Sequence, residues 1–238
     1  MRTAPTAFRT RINEVLITAL GWALSRASGR DRVLMDLEGH GREEIIEGVD
    51  LSRTVGWFTT IYPVALELPD RAAGSPDWPA LVKSVRSQLR VVPDNGFGFG
   101  ALRHLGAPLV RDRLSGTGRQ VVFNYLGQWD ARSSGAGEAA RSGEAARSSG
   151  ATGTHAGLFV GSHPPLGREQ DPVERSMHGL EVVGAVQDGR LEFACYYQPD
   201  RYDMSAVEAV AGDFIEALRA IAWKCREIIR AVPDMYRR

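Results

Sequence analysis

The stretch GLEVVGAVQDGRLEFACYY, Gly179 to Tyr197, carries two apolar runs around Asp188-Gly189. Val, Phe, Tyr and Leu favour a pleated strand, and Asp-Gly supplies the positive φ angles of a tight hairpin turn. Two antiparallel strands are predicted. Beyond them Val207, Val210, Phe214, Leu218, Ile221, Cys225 and Ile228 recur at helical spacing, so a long amphipathic helix closes the chain.

Working back from the hairpin, Ala131 to Gly157 is almost wholly Ala, Gly, Ser, Arg, Glu and Thr, with GEAARS in tandem at Gly137–Ser142 and Gly143–Ser148. Such a stretch has too little apolar surface to offset the entropy of ordering it, so 131–157 reads as a disordered surface insertion. Gln120–Tyr125 (QVVFNY) before it reads as a strand. Trp78–Val92 has helical spacing at Leu81, Val85 and Leu89. Pro93 ends it and opens PDNGFGFG, whose alternating glycines predict a loop that approaches another surface closely.

Thr54–Leu68 is rich in β-branched and aromatic residues and predicts a strand, broken or bent near Tyr62-Pro63. Arg32–Leu37 is a short strand running into the polar segment Glu38–Glu44. From Phe8 to Ala27, Ile12, Val15, Leu16, Ala19, Leu20 and Ala23 follow helical spacing, and Gly29 is a stop signal. The order helix, strand, strand, helix, strand, hairpin, helix predicts an α/β fold: a mixed β-sheet with helices packed on one face, one domain over 1–238.

With 238 residues, 43% of them hydrophobic, the chain can bury a real core. Its 29 basic and 29 acidic residues cancel, so no long-range field draws it to nucleic acid or anionic lipid, and neither is expected as a partner. Cys195 and Cys225 have no CxxC or Cys/His spacing for a metal and read as ordinary buried thiols. No run of 18 apolar residues appears and Met1–Arg11 lacks a signal-peptide core, so a cytoplasmic location is expected. A helix begins almost at once after Met1, which suggests a severed boundary.

Four segments are too unusual for core packing alone: DLEGHGREE (Asp36–Glu44), RTVGWFTTIYP (Arg53–Pro63), PDNGFGFG (Pro93–Gly100) and FNYLGQ (Phe123–Gln128). In this order they resemble the signature motifs of nonribosomal peptide synthetase epimerization domains, within the condensation-domain superfamily. RTRINEVLITAL (Arg9–Leu20) resembles the family's preceding helical motif, and the hairpin its C-terminal one. The resemblance covers nearly all of the chain except the insertion, and EGHGRE is its most specific part.

That resemblance implies a single lobe of a fold similar to chloramphenicol acetyltransferase. In the family two homologous lobes enclose a tunnel that receives the phosphopantetheine arm of a peptidyl carrier protein, and no other cofactor is implied. The implied reaction inverts the α-carbon of an aminoacyl or peptidyl thioester, which requires proton removal on one face and return on the other. The family's two groups are a histidine of an HHxxxDG motif and the first glutamate of EGHGRE, here Glu38.

The five histidines, His40, His104, His155, His163 and His178, include no HHxxxDG match. The N-terminal lobe is thus expected to be missing, and the chain to be incomplete and a poor catalyst alone. Asn124 and Tyr125 are the implied polarisers of an enolate oxygen, against the plainer reading of a buried strand with satisfied polar groups. Arg42 and Glu43 are read as loop braces, His40 as a hydrogen-bonded loop histidine, and Trp57 with Phe58 as tunnel wall or core. The plain reading of Glu38 is a strand-end carboxylate pairing with Arg42 or another basic group. PDNGFGFG lacks the phosphate-binding GxGxxG and GxxxxGK[ST] spacings and is read as an interface loop. A non-catalytic module that keeps the carrier or partner surface is the alternative function.

Overall fold

The computed structural model describes residues 8–68, 76–115, 120–128, 177–187 and 189–231. The insertion expected at 131–157, His155, His163 and Asp188 of the hairpin turn lie outside the described residues. The elements in chain order are α1 (Ile12–Ser28), β1 (Arg32–Gly39), β2 (Thr60–Glu67), α2 (Trp78–Arg90), a 3-10 turn (Pro93–Gly96), α3 (Gly98–Leu105), α4 (Pro108–Ser115), β3 (Val121–Gln128), β4 (Leu180–Gln187), β5 (Arg190–Tyr197) and α5 (Met204–Ala231). The strands form one sheet in the order β2-β1-β3-β4-β5. β3 and β4 run parallel while β4 and β5 run antiparallel, so the sheet is mixed, as the element order predicts.

By contact density the chain divides into two units: Met1–Asp36, Pro63–Gly96 and Pro199–Arg238 form one, Leu37–Tyr62 and Phe97–Gln198 the other. In the first, α1 packs against α5 and α2. Val15, Leu16, Ala19, Leu20 and Ala23 of α1 are buried, as are Val207, Val210, Phe214, Leu218, Ile221 and Cys225 of α5. Trp22 meets Trp78 edge-on, with ring centroids 5.2 Å apart. Glu14 at the start of α1 accepts from the Arg11 backbone N–H at 2.7 Å and from the Thr10 hydroxyl, satisfying groups that the first helical turn leaves without partners. Gly29 in the left-handed region ends the helix at φ 69°.

At Gly21 the helix lies so close to the end of β2 that an added Cβ would sit 3.2 Å from Leu66 Cδ1 and from Leu68 Cδ1. β2 is an end strand of the sheet, and this explains why it runs through Pro63 instead of breaking there: an edge position has no ladder bond for proline to lose. The Gln88 amide occupies the edge at Glu67, donating to its carbonyl at 2.9 Å and accepting from its N–H at 2.8 Å.

Three expectations are corrected. Residues 54–59 are irregular, and only Thr60–Glu67 is a strand. PDNGFGFG is not a loop throughout: Pro93–Gly96 turns and Gly98 begins α3. A Cβ at Gly98 or Gly100 meets open space, so these glycines make no close approach among the described residues. The helices α3 and α4 were not foreseen, and neither contains a buried residue. Cys195 is half-buried, whereas Cys225 is buried as expected.

In the second unit the β4–β5 hairpin keeps one register from Leu180↔Tyr197 to Gln187↔Arg190. Gly184 stands opposite Phe193, and a Cβ there would lie 2.4 Å from Phe193 Cε1. Gly184→Ala should therefore destabilise the fold by about 1–3 kcal/mol, the usual cost of overpacking. Chemical denaturation should show the loss, and pairing the change with Phe193→Leu should recover part of it.

Candidate functional site

Glu38 is the penultimate residue of β1, so a strand rather than a loose loop fixes its backbone. Its side chain is half-buried. The Asn124 amide of β3 donates to Glu38 Oε2, and Glu38 and Asn124 therefore project from the same side of the sheet. The β3–β4 register carries that side onward: Val122↔Glu181 and Asn124↔Val183 are paired, which places Glu181 on the same face. On the opposite face Val121, Phe123, Leu180 and Val182 are buried.

Burial of Glu38 raises its pKa above the ordinary glutamate value, and the nearby Glu181 carboxylate raises it further. His178 and the Asn124 hydrogen bond act in the opposite sense without reversing the shift. Glu38 thus holds its proton more tightly than a solvated glutamate, which suits a group that gives and takes protons near neutral pH.

The segment after Glu38 is braced from the 50s loop. Arg42 Nη1 donates to the Leu51 carbonyl at 2.6 Å, and its guanidinium carbon lies 4.4 Å from the Phe58 ring centroid. The Glu38 carboxylate meanwhile takes its hydrogen bond from Asn124, so Arg42 is bound elsewhere. His40 Nδ1 accepts from the Arg42 backbone N–H at 3.0 Å, and His40 Nε2 lies 3.5 Å from Glu43 Oε1. Gly41 is buried at φ 64°, and an added Cβ would fall 1.6 Å from the Phe58 carbonyl oxygen. Burial and the neighbouring Glu43 raise the Tyr62 pKa.

Of the residues singled out by sequence, Glu38 and Asn124 are brought together, and His40, Arg42 and Glu43 form the adjoining loop. Tyr125 is half-buried, and pleat alternation turns it to the opposite side of the sheet from Asn124. Trp57 is 90% exposed and Val55 99%, so Trp57 is not core. Sequence reasoning passed over His178 and Glu181. The only signal for Glu181 was one carboxylate in an otherwise apolar strand, and for His178 none. Among the described residues no group of three or more His, Cys, Asp or Glu is placed to hold a metal ion. Among them, too, no helix is long and apolar enough to cross a membrane.

The five-stranded mixed sheet and its helices make this an α/β domain, with a half-buried carboxylate beside an amide donor at its candidate site. The chain belongs to the condensation-domain family, whose model matches residues 1–234. Its relatives are nonribosomal peptide synthetases. Bacitracin synthase 3 of Bacillus licheniformis is 36% identical over 229 residues, covering 95% of this chain and 3% of that protein. Gramicidin S synthase 1 of Brevibacillus brevis is 31% identical, covering 92% of this chain and 18% of that protein. The chain thus spans a small part of the curated relatives it matches. The solved epimerization domain from the third module of tyrocidine synthetase B superposes with a TM-score of 0.74 at 28% identity, covering 94% of this chain and 45% of that one. The first condensation domain of the calcium-dependent antibiotic synthetase shares the fold at a TM-score of 0.54 and 15% identity, covering 92% of this chain and 41% of that one.

Two outcomes follow from this geometry. Gly41→Ala combines a left-handed backbone with a collision against backbone oxygen, and should cost at least about 1–3 kcal/mol of stability by thermal or chemical unfolding. Glu38→Gln should act the other way. A folded-state pKa raised above the unfolded one means that the folded chain binds the extra proton, so stability is lost as pH rises past the ordinary value of 4.5. The variant should melt above the parent at pH 8, and the gap should close by pH 4.

Proposed function

We propose that this chain is the C-terminal lobe of an epimerization domain, interconverting L and D configurations at the α-carbon of a carrier-bound aminoacyl or peptidyl thioester. The observation that carries the reading is the half-buried Glu38 carboxylate, held by Asn124 and biased toward keeping a proton. The EGHGRE context of Glu38 and the likeness to a solved epimerization domain support it.

In this reading the phosphopantetheine arm of a peptidyl carrier protein presents the thioester in the cytoplasm. The thioester carbonyl makes the α-proton acidic. As base, the Glu38 carboxylate takes that proton: the C–H bond breaks, its electron pair moves into an enolate, and an O–H bond forms on Glu38. A proton returned from the opposite face rebuilds the C–H bond with inverted configuration. In the other direction, protonated Glu38 is the donor. Its raised pKa suits both roles, because it makes the carboxylate a better base and leaves more of the acid form near neutral pH. Asn124 orients the carboxylate through one amide N–H and keeps a second N–H for a substrate oxygen. The facing histidine comes from an HHxxxDG lobe outside these 238 residues.

The test is loss of α-deuterium from a carrier-bound, α-deuterated aminoacyl thioester. The chain alone should exchange slowly, and addition of a lobe bearing HHxxxDG should restore exchange. Glu38→Gln should then lower the restored rate by about 10²–10⁴-fold, the usual contribution of a positioned acid or base. Rapid washout by the lone chain would refute the need for a second lobe. Undiminished exchange by the variant would remove Glu38 from the chemistry, and no exchange in any combination would favour a carrier-binding module without turnover.

A further inference from the structure

Helix α5 turns one side to α1 and α2 and the other to solvent. Val207, Val210, Phe214, Leu218, Ile221 and Cys225 make up the buried side. Opposite them, at helical spacing, run Glu208, Gly212, Ile215, Arg219, Trp223 and Arg226, all exposed. Charged residues flanking this stripe have partners: Asp213 lies 3.5 Å from Arg26, and Lys224 lies 2.8 Å from Glu227. Glu208 and Arg226 stand on the stripe about five helical turns apart. Neither makes an ion pair or a hydrogen bond among the described residues.

Three residues of the stripe find no reason within their own chain. Glu208 has only Met204, Ser205, Ala211 and Gly212 at the positions three and four away, so no cation can reach it along the helix. Arg226 has Arg230 four residues on, a like-charge pair that weakens a lone helix. Gly212 loosens a helix interior, yet a Cβ there would meet nothing within 4 Å among the described residues. Trp223 adds a large apolar group to the same side. It is 62% exposed, with one ring edge held by the hydrogen bond from its Nε1 to Glu227 Oε1 at 3.1 Å.

We propose that this stripe is a seam on which a second copy of the chain lies antiparallel, the two α5 helices related by a two-fold axis at the level of Ala217. Charge sets the register. With the axis there, Glu208 meets the partner's Arg226, Glu216 meets the partner's Arg219, and symmetry makes each contact twice. Trp223 then lies over the partner's Gly212, whose missing side chain leaves room for the indole. A parallel pairing would set Glu208 on Glu208 and Arg226 on Arg226, and like charges would hold the copies apart. The mixed signs also argue against other occupants. An acidic protein or an anionic membrane attracted by Arg219 and Arg226 would be repelled by Glu208 and Glu216, and one indole is little apolar surface for a bilayer. The chain's net charge of zero leaves no long-range repulsion between copies. A contact one helix wide falls at the small end of specific interfaces, so the dimer should be reversible and weakened by salt.

The test needs no turnover and stands apart from the epimerase reading: it is the oligomeric state of the full chain, by sedimentation velocity over rising concentration. The unsubstituted chain should pass from monomer to dimer. Glu208→Arg and Arg226→Glu each bring like charges together and should each weaken association by about tenfold or more. Mixing these two single variants should restore association as a heterodimer, because each then supplies the sign that the other lacks. The double variant, with both charges exchanged, should dimerise again. Trp223→Ser should weaken the dimer, whereas Lys83→Glu, an exposed change on α2, should leave it unaltered. Circular dichroism establishes that each variant is folded, and either charge reversal decides if the other fails to fold. A chain that stays monomeric, or a dimer indifferent to the charge reversals, overturns the inference. Monomers that bind anionic phospholipid vesicles through Trp223 would assign the stripe to a membrane and overturn it equally.

Discussion

The hydrogen bond from the Asn124 amide to the Glu38 carboxylate joins β1 to β3 through side chains, and it lies where a charge is only half in water. A carboxylate in that position without a donor would bear the full penalty of desolvation. With the donor it can exist in either protonation state. Position follows from register: Asn124 faces Glu38 because alternation along β3 sets it on the side opposite Val121 and Phe123, which are core. A slip of one residue in β3 would turn Asn124 inward and bring an apolar side chain to Glu38.

The chain must leave β1 directly after Glu38, and the braced loop keeps that exit from loosening the carboxylate. Gly41 passes so close to the Phe58 carbonyl that only a residue without Cβ fits, and Arg42 closes the contact by stacking on the Phe58 ring and bonding Leu51. The residue types of GHGRE thus have separable physical roles. Glycine permits the close approach, arginine spans to the neighbouring loop, and His40 and Glu43 hold each other and the turn. This accounts for the motif's composition without requiring each member to touch a substrate.

How far the sequence could be read depended on the kind of signal. The helices α1 and α5 and the hairpin were legible because periodicity and an Asp-Gly turn are local and are enforced by burial. The segment 54–59 was misleading, since Val55 and Trp57 have the composition of a strand but stand in solvent. α3 and α4 were hidden for the converse reason. Alternating glycines at the start of α3 suggest a loop, and with no buried residue neither helix has a core stripe to betray it. Glu38 and Asn124 were found through motifs, yet their contact spans 86 positions and only the sheet makes it. His178 and Glu181 belong to no motif, and tertiary register alone brings them to the site.

The influences on Glu38 oppose one another. Burial and Glu181 favour the neutral acid, whereas His178 and Asn124 favour the anion. The first pair alone would push the Glu38 pKa up further. With the second pair alone Glu38 would resemble a salt-bridged surface glutamate, stable as an anion and weakly basic. A group that must take a proton in one direction of a reversible inversion and give it in the other needs neither state to lie far below the other. Asn124 comes from β3, and Glu181 and His178 from β4 and the bend before it, so the surroundings of Glu38 are set by backbone register.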